Sequence, residues 1–152
     1  MSTKQTLYQN QKFLRMKKDS ILFISLGLII AALIFSCGSS PDSRASIDRG
    51  GKIYTQYCLA CHQADGSGVP QLNPPLKNTD YVLGDESRLI GIVMNGFSEG
   101  VEINGDTYTN PMPPFGAVLK DEEIADVLTY VRNSFNNKAS KISAEQVKAL
   151  RK

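Results

Sequence analysis

The 152-residue chain has no tryptophan, one histidine (His62), three cysteines and four methionines. Each scarcity removes a class of chemistry. A single imidazole rules out two histidines on one metal within the chain. A closed structural zinc site needs four ligands. Cys58, Cys61 and His62 supply three, and no second cysteine pair is present. The net charge is only +2, which leaves no basic footprint for nucleic acid. Alternating strands and helices, the frame of a thioredoxin-like dithiol, are absent, and so are internal repeats. Apolar side chains between residues 47 and 135 are sparse for a self-sufficient core. A domain of that size then needs a staple, a metal or a cofactor.

Long apolar runs are also missing. The longest, residues 21–36, has 16 residues, short of the roughly 20 that cross a membrane. Lys17 and Lys18 precede it and Cys37 comes directly after it. Positive, apolar, small residue, cysteine is the order of a secretory signal. It resembles the lipobox of bacterial lipoproteins, with Ile34, Ser36 and Cys37 in place and Phe35 bulkier than the pattern prefers. That resemblance implies a leader over 1–36 and a lipid on Cys37. The alternative is an uncleaved anchor helix over 21–36. Either puts the remainder outside the cytoplasm, at the periplasmic side of the cell envelope and tied to a membrane. Translation from Met16 would give a more typical signal than translation from Met1.

Residues 37–46 are small and polar and read as a flexible tether; the expected domain runs from 47 to 135. Ser46 or Asp48 is expected to cap a helix leading to Cys58. Residues 63–84, rich in Gly, Pro and Asn, read as one long loop. A second helix begins at Asp85 or Ser87 and ends at Asn95-Gly96. Asn104-Gly105 reads as a hairpin turn. Asp121 is expected to cap the strongest helix, whose Ile124, Val127, Leu128 and Val131 keep helical spacing. Residues 136–152 form a basic tail with a short helix, where Ser143 and Gln146 make a capping box. Charge is uneven: residues 50–135 carry five Lys/Arg against eleven Asp/Glu, and 136–152 carry five against one. The acidic stretch is either a solvated surface or a face for a basic partner. The basic tail is either a soluble end or a surface for lipid headgroups or a partner.

The chemistry sits in Cys58-Leu59-Ala60-Cys61-His62. A disulfide across so short a loop gains little. The same spacing suits covalent haem attachment. On a helical turn, residues three apart share a face, so both thiols reach the two vinyl groups of one porphyrin. The next residue, His62, then lies under the iron. Expected here is one haem c per chain. For the other side of the iron, Met94 sits in a helical pattern and reads as core filler. Met112 sits in Asn110-Pro111-Met112-Pro113-Pro114, a stiff extended segment that holds a thioether with little entropy left to lose. His62 and Met112 are the expected metal ligands. A filled sixth position argues against gas binding or oxygen chemistry.

These residues resemble class I cytochrome c, a mono-haem electron carrier. The resemblance implies an all-α fold of three to four helices wrapped around one covalent haem. It implies that the first and last helices cross closely through Gly50 and Tyr54 on one, Val127 and Tyr130 on the other. It further implies that the Pro74 carbonyl receives the second ring N–H of His62, and that Leu76 lies against the haem. The phrasing around Met112 and after Leu119 is similar to haem domains that serve quinoprotein dehydrogenases or copper nitrite reductases. The implied partners are redox proteins: a terminal oxidase, a reductase or a quinoprotein dehydrogenase. No enzymatic activity is implied for the chain itself. A haem subunit of an oxidoreductase complex, and a haem sensor or peroxidase, are the competing readings.

Overall fold

The computed structural model describes residues 41–151. The leader 1–36, Cys37 and residues 38–40 lie outside the described residues. Helix α1 spans Pro41–Tyr57, so residues 41–46, expected as tether, are helical, and Ser46 lies inside the helix instead of capping it. The cause is tertiary. Ser46 Oγ donates to Asp126 Oδ1 at 2.7 Å, and the Arg49 guanidinium forks across the same carboxylate at 2.5 and 2.8 Å. Lys141 pairs with Asp42. None of these partners is local to the segment they hold.

Helix α1 crosses α5, Asp121–Asn133, at Gly50. A Cβ placed there would lie 2.0 Å from the Asp126 carbonyl oxygen and 2.7 Å from Tyr130 Cβ. The approach is open only to glycine, which explains a helix-interior residue that otherwise costs stability. One turn on, the Tyr54 ring is 1% exposed, with centroids 5.3 Å from both Tyr130 and Phe135. Its hydroxyl donates to the Gln63 carbonyl at 2.6 Å. The helix pair therefore aims the end of α1, and Cys58 with it, at the start of the next loop.

After Cys58, a single turn forms α2, Leu59–His62. The long loop beyond it is interrupted by one further turn, α3, Asp80–Leu83, where pure loop was expected. Thr79 caps it, its side chain accepting from the Val82 N–H at 3.3 Å, and both residues are buried. Helix α4, Glu86–Asn95, is capped by Asp85, which accepts from the Ser87 and Arg88 N–H groups at 2.7 and 3.1 Å. It ends at Gly96 with φ +75°. Strands β1, Val101–Ile103, and β2, Asp106–Tyr108, pair antiparallel with Val101 opposite Tyr108. Asn104 and Gly105 both have positive φ, 56° and 89°, as a two-residue type I′ turn requires.

At the start of α5 the expected cap is displaced by one residue. Lys120 occupies the cap position, and the Glu123 carboxylate accepts from its N–H at 2.8 Å. Asp121 is the first helical residue, paired instead with Arg151 at 2.6 Å. Acids there complement the positive end of the helix. Helix α6, Ala144–Leu150, begins with the expected box: Ser143 Oγ accepts from the Gln146 N–H, and Gln146 Oε1 from the Ser143 N–H.

The segment 136–151 is no tail. Ile142 and Val147 are 2% and 0% exposed and belong to the same core as Ile90, Ile124 and Leu128. Arg132, 3% exposed, ties the parts together. It donates to the Val82 carbonyl, Glu86 Oε1, and the Ser140 carbonyl and hydroxyl at 2.6–3.1 Å. A buried cation is tolerable only when its donors are matched in this way.

Candidate functional site

The core is incomplete on one side. Val82, Leu89, Val93, Leu119, Val127, Leu128 and Val131 belong to it and also line an apolar cleft. The cleft takes in about 1260 Å³ of atom-free space, including its open mouth. Cys58, Cys61, His62, Pro74, Leu76 and Met112 all line it, so every sequence-derived site residue among the described ones converges there. Met94 does not line it; its side chain is core, 7% exposed.

The two thiols come from one turn. The Cys61 and His62 amides both bond the Cys58 carbonyl, at 3.2 and 2.9 Å, which puts positions 58 and 61 on one face. Cys58 is half-buried and Cys61 exposed. Burial, with the neighbouring Cys61 adding to it, pushes the Cys58 thiol up to about 11. That direction is opposite to the one that activates a thiol for disulfide exchange.

His62 is buried, and its Nδ1 lies 3.0 Å from the Pro74 carbonyl oxygen. A carbonyl can only accept, so Nδ1 carries the proton and Nε2 keeps its lone pair for a metal. Burial lowers the His62 pKa, with the Pro74 bond opposing it. The ring is therefore neutral and ligand-competent at neutral pH. The loop that delivers Pro74 is itself pinned: Leu76 N–H bonds the Gly66 carbonyl at 2.8 Å, and Val69 and Asn73 form an isolated bridge.

Met112 comes from the facing segment. It exchanges two backbone hydrogen bonds with Phe97, at 2.9 and 2.7 Å. This close pairing needs Gly96, where a Cβ would lie 2.6 Å from the Met112 carbonyl oxygen. Beyond the prolines, Phe115 and Gly116 bond the Val93 and Met94 carbonyls at 2.9 and 3.0 Å. The Phe115 ring meets Tyr57 edge-on at 6.0 Å. Asn110 links the two loops through Asn73, 2.8 Å side chain to side chain.

Two thiols on one turn, a neutral imidazole beside them and a thioether on a separate stiff segment fit a covalently bound haem in both donor type and order. The apolar walls fit a flat macrocycle. Sequence reasoning missed part of this wall: Val101, Ile103 and Tyr108 of the hairpin line the cleft. The Val-x-Ile alternation was the signal for an inward face. It also missed Asn137, whose side-chain amide reaches the carbonyl of Leu76.

Residues 47–135 match the family model for cytochrome c. Cytochrome c-552 of Thermus thermophilus is 38% identical over 112 residues, covering 67% of this chain and 83% of the relative. The gluconate 2-dehydrogenase cytochrome c subunit of Pantoea cypripedii is 36% identical over 107 residues, 68% of this chain but 24% of that protein. The cytochrome c subunit of the quinone alcohol dehydrogenase of Gluconobacter oxydans is 31% identical, over 22% of its length. A family match spanning more than half of the sequence, on a mostly helical fold whose apolar cleft gathers those donors, leads to one conclusion: this chain belongs to the cytochrome c family, an electron-transfer protein with covalently attached haem c and not an enzyme.

Proposed function

We propose that this cytochrome is a membrane-tethered carrier on the periplasmic side of the cell envelope, moving single electrons between respiratory or dehydrogenase partners. In this reading Cys58 and Cys61 hold the haem as thioethers, and His62 and Met112 are the ligands of its iron. The observation that carries the reading is that these four side chains, drawn from two separate segments, line one apolar cleft. Bound haem supplies the one-electron couple. The protein's part is to bind, orient and dry it. Pro74 fixes the His62 ring, Leu76 and the hairpin side chains exclude water, and the Phe97 bridge holds the Met112 segment in place. With His62 and Met112 both holding the iron, the thioether would favour its reduced form and raise the potential.

Met112→Ala tests the ligand set. The matured variant should keep its haem, bind carbon monoxide in the ferrous state far more readily than wild type, and show a lower potential. Unchanged carbon monoxide binding would remove Met112 from the iron.

The signal-like order of residues 17–37 supports the tether. The intact mass of the mature protein tests it: a chain starting at an acylated Cys37 supports the lipid tether, and a chain that keeps residues 21–36 favours the uncleaved anchor. A second reading, a haem subunit of a dehydrogenase complex, draws support from relatives whose names describe such subunits. A stable complex with a catalytic subunit on size exclusion of the native protein would favour it; a monomer would favour the free carrier.

A further inference from the structure

We propose that residues 136–151, which lie beyond the family-matched stretch, are a strap that fixes both iron-facing loops, with Asn137 positioning the His62 side and Arg151 the Met112 side. The proposal rests on the reading that His62 and Met112 hold the iron.

The strap begins with an unusual reversal. Phe135 and Asn136 both adopt left-handed backbone, φ 57° and 66°, a region non-glycine residues seldom enter. The turn lays the Phe135 ring over Gly66, where a Cβ would lie 2.5 Å from the ring. It also delivers Asn137, 6% exposed. The Asn137 amide donates to the Leu76 and Val131 carbonyls at 2.9 and 2.8 Å, and its oxygen accepts from the Asn78 N–H at 2.9 Å. These bonds grip the loop just past Pro74, whose carbonyl orients His62. Leu76 is then held from both sides, by Gly66 through its N–H and by Asn137 through its carbonyl.

The strap's other end reaches the opposite loop. The Arg151 guanidinium donates to Asp121 Oδ1 at 2.6 Å, to the Leu119 carbonyl at 3.1 Å and to the Gly116 carbonyl. Gly116 is also bonded to Met94, so the segment leaving Met112 is clamped between α4 and Arg151. Between the ends, Gln146 donates to Glu86 at 2.6 Å and Ser140 bonds both Glu86 and Arg132, which keeps the strap taut. Asn137 and Arg151 thus act through the backbone of the ligand-bearing loops without lining the cleft themselves.

The test uses matured haem protein with Arg151→Ala, Asn137→Ala and, as control, Ser46→Ala. The control breaks the buried Ser46–Asp126 bond between α1 and α5 and touches neither the strap nor the two loops. Two rates are measured: replacement of the sixth ligand by imidazole in the ferric state, and solvent exchange of the His62 Nδ1 proton in the ferrous state by NMR. Arg151→Ala should speed imidazole binding by roughly tenfold, the scale expected for lost charge-assisted bonds. Asn137→Ala should speed proton exchange by roughly tenfold, the scale expected for losing its neutral side-chain bonds to Leu76, Val131 and Asn78 together. Ser46→Ala should lower thermal stability and leave both rates near wild type. If Asn137→Ala fails to mature, Asn137→Asp keeps the acceptor and removes both donated bonds. Either variant failing to exceed the control on its own rate overturns the strap. Failure of the ligand assignment looks different: wild type would then bind imidazole as fast as Met112→Ala, whatever residue stands at 151.

Discussion

Replacing Gly50 by alanine puts one methyl group where α1 meets α5. Its carbon would lie 2.0 Å from the Asp126 carbonyl oxygen, 2.6 Å from the carbonyl carbon and 2.7 Å from Tyr130 Cβ. Two of these atoms are backbone, so no rotamer change relieves the contact and the helices must separate. Overpacking of a close interface costs about 1–3 kcal/mol, and a backbone obstacle argues for the upper end. Alanine returns about 0.8–1 kcal/mol of helix propensity. The net expected loss is about 2 kcal/mol. Gly91 in α4 supplies the internal control, because a Cβ there meets nothing within 4 Å. Gly91→Ala should therefore gain about 0.8–1 kcal/mol. Guanidinium denaturation of the ferric haem protein, followed by tyrosine fluorescence and far-UV circular dichroism, measures both variants. The same chemical change at two glycines should then differ by about 3 kcal/mol. Equal midpoints for the two variants would show that the helix crossing is not the constraint on Gly50.

Three further outcomes are expected. Gly96→Ala, at φ +75° and with its Cβ 2.6 Å from the Met112 carbonyl, should destabilise the fold and ease replacement of Met112 by imidazole; an unaltered ligand-binding rate would contradict it. Cys58→Ala combined with Cys61→Ala should yield an unfolded chain by circular dichroism, since seven core residues also face the cleft; a cooperative melt of the apoprotein would refute this. The Glu86 carboxyl is held below its usual range, first by its bond from Ser140 and also by Gln146 and Arg132. A depressed folded-state pKa means that the unfolded chain binds more protons, so this stabilisation is full above the unfolded value near 4.5 and is lost as pH falls through the folded value. Glu86→Gln should accordingly flatten the acid side of the stability profile, and parallel profiles for the two proteins would reject the assignment.

What the residues show on their own and what the fold adds separate by range. Local chemistry was legible. The Asp85 cap, the Ser143–Gln146 box and the Asn104-Gly105 turn each depend on residues within a few positions. So does the placement of Cys58, Cys61 and His62 on one turn, because helical geometry alone fixes that spacing. That the Met112 segment is stiff was legible for a related reason, since prolines restrict it whatever it packs against. The beginning of α1 and the role of residues 136–151 were not. Ser46 and Arg49 are held by Asp126, and Asn137 by Leu76 and Asn78. Those partners lie far along the chain, and no local pattern encodes them. The Lys120–Asp121 boundary shifted because Asp121 found Arg151, again a distant partner. Which side chains are candidates for the chemistry is therefore written in short-range spacing. How firmly the two loops hold them is decided only when the chain closes on itself, because hydrogen bonds across dozens of residues exist only in the folded state.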